Sequence, residues 1–211
     1  MRTPRRIAAA ILLTAASSGA AVAQEVHAGL IAGPMLSQVT YDDPTNLIDP
    51  RLGITAGFFM VIGAGGHFAV QPELMLSQKG AVVPAVGGID DEIEATFDLT
   101  YIEVPVLARF AHPLWIGRAF ALVGPVAGYR SSAKISADGY QSLNLGTTTA
   151  KFDVGAALGA GMEFDVDGGS VQVSLRLSQG FIDVEDAPGA VPGKNRTLSL
   201  VVGFARVYGR Y

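Results

Sequence analysis

Along most of the chain, apolar and polar residues alternate from one position to the next. The stretch VQVSLRLS at 171–178 places valine or leucine at odd positions and glutamine, serine or arginine at even ones. A period of two is that of a β-strand, whose successive side chains point to opposite faces. Eight stretches are predicted as strands, at about 26–37, 51–62, 66–80, 95–110, 118–132, 150–164, 169–182 and 195–208. Helical spacing is absent, so the pattern predicts an all-β fold.

The connections between these stretches alternate in length. Long ones such as QVTYDDPTNLIDP and AVVPAVGGIDDEIE follow odd-numbered strands, and shorter ones such as GAGG at 63–66 and DVDGG at 165–169 follow even-numbered strands. An antiparallel up-and-down meander then places all long loops at one end. Outer-membrane barrels combine an even strand number with short periplasmic turns and longer outer loops. We therefore predict an eight-stranded antiparallel up-and-down transmembrane β-barrel.

The two faces of the predicted strands differ in a way that favours lipid on the outside. In the third, fourth, sixth, seventh and eighth strands the apolar face carries no charge, and the other face is mostly Gly, Ala, Ser and Gln. Arginine or lysine facing the middle of a bilayer costs about 2–4 kcal/mol. Alternation alone also fits a soluble β-protein. In the first, second and fifth strands both faces are apolar, with Ile31, Phe59 and Val61 on the second face, and their orientation is left open.

Composition and charge narrow the class further. The chain is 49% hydrophobic and 16% charged, against about 25% charged in soluble domains. Residues 1–23 combine a basic start, an apolar run and Ala-Val-Ala before Gln24, which predicts a cleaved secretory signal peptide and a barrel domain over 24–211. Three of the 15 Lys and Arg lie in that leader, leaving 12 against 19 Asp and Glu. A charge of −7 argues against nucleic acid as a partner.

Several stretches together resemble a known family of small outer-membrane β-barrels, the porin-like or PorT-like proteins. They are HAGLIAGPMLS near the N-terminus, VQPELMLSQKG (70–80), LTYIEVPVLARF (99–110), GPVAGY (124–129), FDVGAALGAGMEFDVDGGSVQVSLRLSQGFIDV (152–184) and NRTLSLVVGF (195–204). The resemblance implies an exported eight-stranded barrel in a Gram-negative outer membrane. It implies no catalytic residues. The partners expected are the lipid bilayer, lipopolysaccharide and, through the terminal aromatic Tyr211, the barrel assembly machinery, with a monomeric barrel and an unidentified loop partner.

A few charged residues fall on the predicted inner face. Glu73, Glu103 and Arg176 lie at similar heights when residues are counted from the short-turn end. An unpaired buried charge is very costly, so a Glu73/Glu103–Arg176 cluster is predicted. The charges nearer the two ends are further candidate members of this lumen cluster: Arg109, Asp153 and Glu163.

This cluster leaves two functions open, a structural plug that fills the barrel or a gate in a narrow channel. A third alternative is a lipid-modifying enzyme with a Ser/His pair near the outer leaflet. The histidines, His27, His67 and His112, all fall at the predicted periplasmic end, which argues against it. We predict a protein that is no enzyme and has no cofactor or metal, with a structural or surface-interaction role.

The predicted outer loops are acidic, and the strand ends carry aromatic residues. The loop carboxylates, at Asp42, Asp43, Asp49, Asp90, Asp91, Glu92, Glu94, Asp183, Glu185 and Asp186, fit either a solvated rim or divalent cations shared with lipopolysaccharide phosphates. No D-x-D-x-D-G spacing appears among them. Trp115, Phe110, Tyr208 and Tyr211 fit an aromatic girdle at the membrane interface, with packing inside the turn as the alternative for Trp115.

Overall fold

The computed structural model describes residues 25–41, 49–83, 95–137, 143–144, 150–184 and 193–210. The strands within them are β1 (Glu25–Tyr41), β2 (Asp49–Gly65), β3 (Phe68–Val83), β4 (Ala95–Leu114), β5 (Gly117–Ala137), β6 (Leu143–Asn144), β7 (Phe152–Val166), β8 (Gly169–Asp183) and β9 (Gly193–Arg210). The predicted leader lies outside the described residues, as does Tyr211. Within them, no helix is long and apolar enough to cross a membrane.

The eight long strands form one closed antiparallel ring. The order is β4-β3-β2-β1-β9-β8-β7-β5, and pairing between β4 and β5 closes it. The two-residue strand β6 is an addition that the sequence pattern did not predict, and it pairs with β5 alone. Closure satisfies backbone groups around the whole ring and leaves no edge, which a lipid environment requires.

One end of the barrel carries three tight turns. They consist of Gly66–His67, Trp115–Ile116 and Asp167–Gly168. Gly66 and Gly168 have φ of 62° and 81°, a left-handed conformation in which a Cβ is unfavourable. The strands run further into these turns than predicted, so the turn expected at 63–66 is shifted to Gly66–His67. By the asymmetry of such barrels, the two-residue turns mark the periplasmic end.

The alternation of apolar and polar residues maps onto the outside and inside of the ring. Leu175 and Leu200 are 54% and 47% exposed, whereas Gln172 and Arg176 are 2% and 9% exposed. The exposed apolar residues circle the barrel and include Leu36, Phe58, Leu74, Val104, Val123, Leu158 and Val202. Soluble monomeric proteins rarely expose so large and continuous an apolar surface to water. A bilayer accounts for it.

The three strands whose orientation the sequence left open place large apolar residues inside. Ile31 and Phe59 are buried and pack with Met75, Val201 and Ala205, and half-buried Val61 joins them. On β5, Phe120 and Leu122 are buried against Leu107 of β4. The second face of these strands is apolar because its side chains pack together on the inner side of the ring.

Several glycines on the inner face sit where neighbouring backbones come very close. A Cβ added to Gly33 would overlap the carbonyl oxygen of Leu200 on β9, and one added to Gly29 would overlap that of Phe204. Backbone atoms in a paired ladder cannot move aside independently. The close approach of β1 and β9 therefore requires glycine, which has no Cβ, at positions 29 and 33.

Gly33→Ala is expected to destabilise the folded barrel by about 1–3 kcal/mol, the usual cost of forcing extra atoms into a packed site. Urea unfolding of the protein in lipid vesicles would measure it. Ala32→Val is the matched control, because it adds two carbons on the exposed outer face of the same strand and should change stability little. Equal stability of Gly33→Ala and the wild type would contradict the close β1–β9 approach.

Candidate functional site in the barrel interior

The best-defined contact in the lumen joins two opposite walls. Arg176 Nη1 on β8 donates to both carboxylate oxygens of Glu73 on β3, at 2.7 and 2.8 Å. Strands β3 and β8 are separated by three strands in either direction around the ring. Ser174 Oγ accepts from Arg176 Nε at 3.1 Å, and Gln71 Nε2 donates to Glu73 at 2.7 Å. The pair therefore spans the lumen and is held at both ends.

Glu103 was expected to share this cluster, and the structure gives it a different partner. Lys79 Nζ on β3 lies 2.6 Å from Glu103 Oε1 on β4, and 5.0 Å from the centre of the Tyr101 ring. The sequence reasoning missed Lys79. Lys79 could have been found from its position on β3, because it is an even number of residues from Gln71 and Glu73 and therefore faces the inside of the barrel like them.

A third group of polar side chains lies nearer the short-turn end, around Arg109. Its Nη1 donates to the side-chain oxygens of Gln71 and Gln172, each at 2.7 Å, and Nη2 contacts Glu163. The guanidinium carbon lies 3.8 Å from the centre of the Phe120 ring, a cation–π geometry. Arg109 is 2% exposed, so its charge is shielded from bulk water.

Glu163 and Asp153 complete the predicted candidates, at opposite ends of β7. Glu163 also accepts from Arg118 at 2.7 Å, and Arg118 reaches Asp165 at the rim at the same distance. Asp153 accepts from Asn195 Nδ2 at 3.1 Å, and Asn195 also contacts the Tyr101 hydroxyl at 3.3 Å. The six predicted residues therefore do not form one cluster: Glu73 pairs with Arg176, Arg109 with Glu163, and Glu103 with Lys79, while Asp153 bonds to Asn195. Gln71 links the Glu73 and Arg109 groups.

Apolar clusters and small cavities occupy the space between these polar centres. Toward the long-loop end, Val39, Ala81, Leu99, Tyr101, Ala133 and Val184 form one buried cluster. A cavity of about 60 Å³ adjoins Arg176, Glu73 and Glu103 and is also lined by threonine and serine hydroxyls. Another beside Lys79 and Asp153 measures about 10 Å³. A wider pocket of about 370 Å³ opens at the short-turn mouth beside Arg109 and Arg118.

The histidines and the acidic loop residues lie toward the two ends of the barrel or outside the described residues. His67 and His112 are exposed at the short-turn end with ring centres 5.3 Å apart. Over the part of the chain that the structure describes, no group of three or more His, Cys, Asp or Glu is arranged to hold a metal ion. Asp49 and Asp183 lie at strand ends, and the other acidic loop residues, Asp42, Asp43, Asp90, Asp91, Glu92, Glu94, Glu185 and Asp186, lie outside the described residues.

Aromatic side chains lie at both ends of the apolar belt. Trp115 is 96% exposed at the tip of its turn and Tyr208 is 60% exposed on β9, so Trp115 does not pack inside its turn. Phe68 and Phe110 are in contact near the same end, and Tyr129 contacts Phe152 further along the barrel. Such positions suit amphipathic or bulky rings at a membrane interface.

Solved structures of small outer-membrane barrels resemble this fold. The outer membrane protein OprG from Pseudomonas aeruginosa aligns with 9% identity over 88% of this chain and 95% of its own, at a TM-score of 0.50. The attachment invasion locus protein Ail of Yersinia pestis, in complex with the heparin analogue sucrose octasulfate, aligns with 18% identity over 86% and 99%, at 0.44. Neisserial surface protein A aligns with 7% identity over 85% and 96%, at 0.47. At these identities the likeness concerns the fold alone.

A family model covers most of the sequence. Residues 17–186 match the outer membrane protein beta-barrel domain, whereas no curated protein matches. This match agrees with the closed ring of eight strands and its apolar outer belt. The chain therefore belongs to the outer membrane protein beta-barrel domain family and resides in the bacterial outer membrane.

Proposed function

We propose that the chain is a closed, non-conducting barrel that serves as a rigid support for its outer loops at the cell surface. The observation that carries this proposal is the contact between Arg176 and Glu73 across the lumen, with a cavity of only about 60 Å³ beside it. That volume has room for a few water molecules, which is far less than a hydrated solute needs. Eight strands leave an interior just wide enough for side chains to fill it.

The ion pairs in the lumen support a structural role. Each buried charge described above has an opposite charge or a hydrogen-bond partner, which avoids the cost of an isolated ion. Arg176 and Glu73 fix the distance between opposite walls, while Lys79 and Glu103 fasten neighbouring strands. Barrel shape is then independent of what the loops do, and loops on a rigid support can carry recognition.

The role assigned to the loops rests on their charge. Every charged residue in the sequences that connect strands at the long-loop end, 42–48, 84–94, 138–149 and 185–192, is acidic, for example Asp90, Asp91, Glu92 and Glu94. We propose a solvated acidic rim that carries surface contact or adhesion. Divalent cations shared with lipopolysaccharide phosphates are the alternative ligand for these carboxylates.

A narrow channel is the second candidate, favoured by the line of polar groups along the lumen. Arg109 with Glu163, Arg176 with Glu73, and Lys79 with Glu103 follow one another from the short-turn mouth toward the loops. Such a line could pass ions if the pairs exchanged partners. We propose no catalytic role for the histidines, because they lie at the periplasmic end, away from an outer-leaflet substrate; lipase and deacylase assays on purified protein check this.

Conductance in planar lipid bilayers separates plug from channel. We expect no current steps from the wild type and none from Arg176→Ala, because the Arg109 and Lys79 centres and the apolar clusters still fill the lumen. Leu175→Ala, on the outer face of the same strand, is the matched control. Steps in the wild type, with solute uptake by liposomes that depends on solute size, would contradict the plug. Steps in Arg176→Ala alone would make the pair a gate.

A further inference from the structure

The outer surface of the barrel has an open apolar groove over β1, β2 and β9. Its volume is about 610 Å³, and its lining includes the small residues Ala32, Ala56 and Gly57 with larger walls at Phe58 and Phe204. Charged side chains are absent from its lining. None of the charged lumen residues described above lines the groove, and its existence does not depend on whether the lumen conducts.

The strand register explains the depression. Ala32 on β1 lies opposite Ala56 on β2 and opposite Val202 on β9. Two residues along each strand toward the periplasmic end, on the same outer face, Leu30 lies opposite Phe58 and opposite Phe204. These bulky side chains form the walls of the groove. Small side chains flanked by large ones in three adjacent strands thus leave a concave strip on a surface that faces lipid.

The positively charged side chain of Arg206 lies on the same outer face, on the side of the groove toward the short-turn end. Arg206 follows Phe204 by two residues on β9, is exposed, and lies opposite Ala28 on β1. With a strand rise of about 3.3 Å per residue, Arg206 is roughly 7 Å closer than Phe204 to the short-turn end. Exposed Tyr208 follows on the same face. The order from membrane centre to periplasm is therefore groove, guanidinium and aromatic ring.

We propose that this strip is a binding site for one phospholipid of the periplasmic leaflet, with an acyl chain in the groove and its phosphate on Arg206. An acyl chain fits an uncharged concave strip, because association within lipid depends on close packing. A guanidinium at the membrane interface matches a phosphate in charge and hydrogen-bond geometry. Because Arg206 lies roughly 7 Å beyond Phe204 along the strand, a single lipid can place its acyl chain in the groove and its phosphate at the guanidinium.

Two other occupants fit the geometry less well. A second copy related by a two-fold axis would set the same concave strip against itself, and it would bring two Arg206 side chains toward one another. Lipopolysaccharide belongs to the outer leaflet, whereas Arg206 and Tyr208 lie at the end that carries the two-residue turns. The periplasmic leaflet therefore supplies the ligand.

Native mass spectrometry of the full barrel in detergent tests the site. The probes are palmitoyl-oleoyl phosphatidylglycerol and the diacylglycerol with the same chains, which lacks the phosphate. We expect one phosphatidylglycerol retained by the wild type and about fivefold weaker retention by Arg206→Gln, the equivalent of about 1 kcal/mol for one cation at a membrane surface. Ala56→Phe, which fills the groove, should also reduce retention several-fold. Diacylglycerol should be retained about as weakly as phosphatidylglycerol is by Arg206→Gln.

The matched controls lie on β5, on the opposite side of the ring. Lys134→Gln removes one exposed positive charge, and Ala121→Phe adds a ring to the exposed outer face; both should retain phosphatidylglycerol like the wild type. Equal retention by all variants overturns the proposal. So does a dimer in the spectrum that Ala56→Phe abolishes, or a preference for added lipid A over phosphatidylglycerol that depends on Arg206.

Discussion

Arg176→Met is expected to lower the free energy of unfolding by about 3–5 kcal/mol, the cost of leaving one partner of a buried ion pair alone. Glu73 is 4% exposed, and among the contacts of the described residues it would keep the hydrogen bond from Gln71 Nε2 at 2.7 Å. Urea unfolding of the barrel in lipid vesicles measures the change. The loss is large because Arg176 contacts both oxygens of the carboxylate.

The double variant Glu73→Leu/Arg176→Met is the decisive control. Replacing a whole buried pair by apolar residues of similar size is often neutral or stabilising, so this variant should recover most of the stability lost in Arg176→Met. A double-mutant cycle completed with Glu73→Leu gives the coupling energy. Stability of Arg176→Met within about 1 kcal/mol of the wild type would contradict a paired, buried carboxylate, since ordinary surface changes stay below that size.

Leu175→Arg is expected to destabilise the barrel by about 2–4 kcal/mol, the cost of an arginine facing the middle of a bilayer. Leu175 is 54% exposed and lies near the centre of β8, opposite Leu200 and Ala160. The cost arises because hydrocarbon cannot hydrate the guanidinium. Unfolding in vesicles again provides the measurement.

The matched control for that charge is Phe181→Arg. Phe181 is 59% exposed on the same strand, six residues closer to the long-loop end, where an arginine can reach the headgroups and should cost only about 0–1 kcal/mol. The difference between the two variants therefore reports depth in the membrane. Equal costs at the two positions would mean that β8 does not cross the bilayer as described.

The apolar belt was predictable from the sequence because the side-chain period of a strand is fixed. Leu175 and Leu200 face outward and Arg176 inward, as the alternation indicates. The tight turn at Asp167–Gly168 was likewise readable from an Asp-Gly pair. Strands with apolar residues on both faces were not readable this way. Ile31 and Phe59 are as hydrophobic as lipid-facing residues, and only closure of the ring shows that they fill its interior.

The partners within the lumen depended on strand stagger, which residue counting misjudges. Glu73 and Glu103 were placed at one height by counting from the short-turn end, yet Glu103 lies opposite Met75, two residues nearer the loops. This offset places Glu103 within reach of Lys79 and leaves Glu73 to Arg176. In a closed barrel the tilt and shear of the strands set these heights, and neither quantity is written in the local pattern.

The sequence by itself determined the number of long barrel strands, the order of tight and long connections and which side chains of five strands meet lipid, because each follows from local periodicity and turn chemistry. Tertiary structure alone decided which charge contacts which, how the apolar side chains of β1, β2 and β5 pack inside the ring, and where small residues from three strands align into an outer groove. Those features need the register between strands, which is fixed only when the whole ring closes.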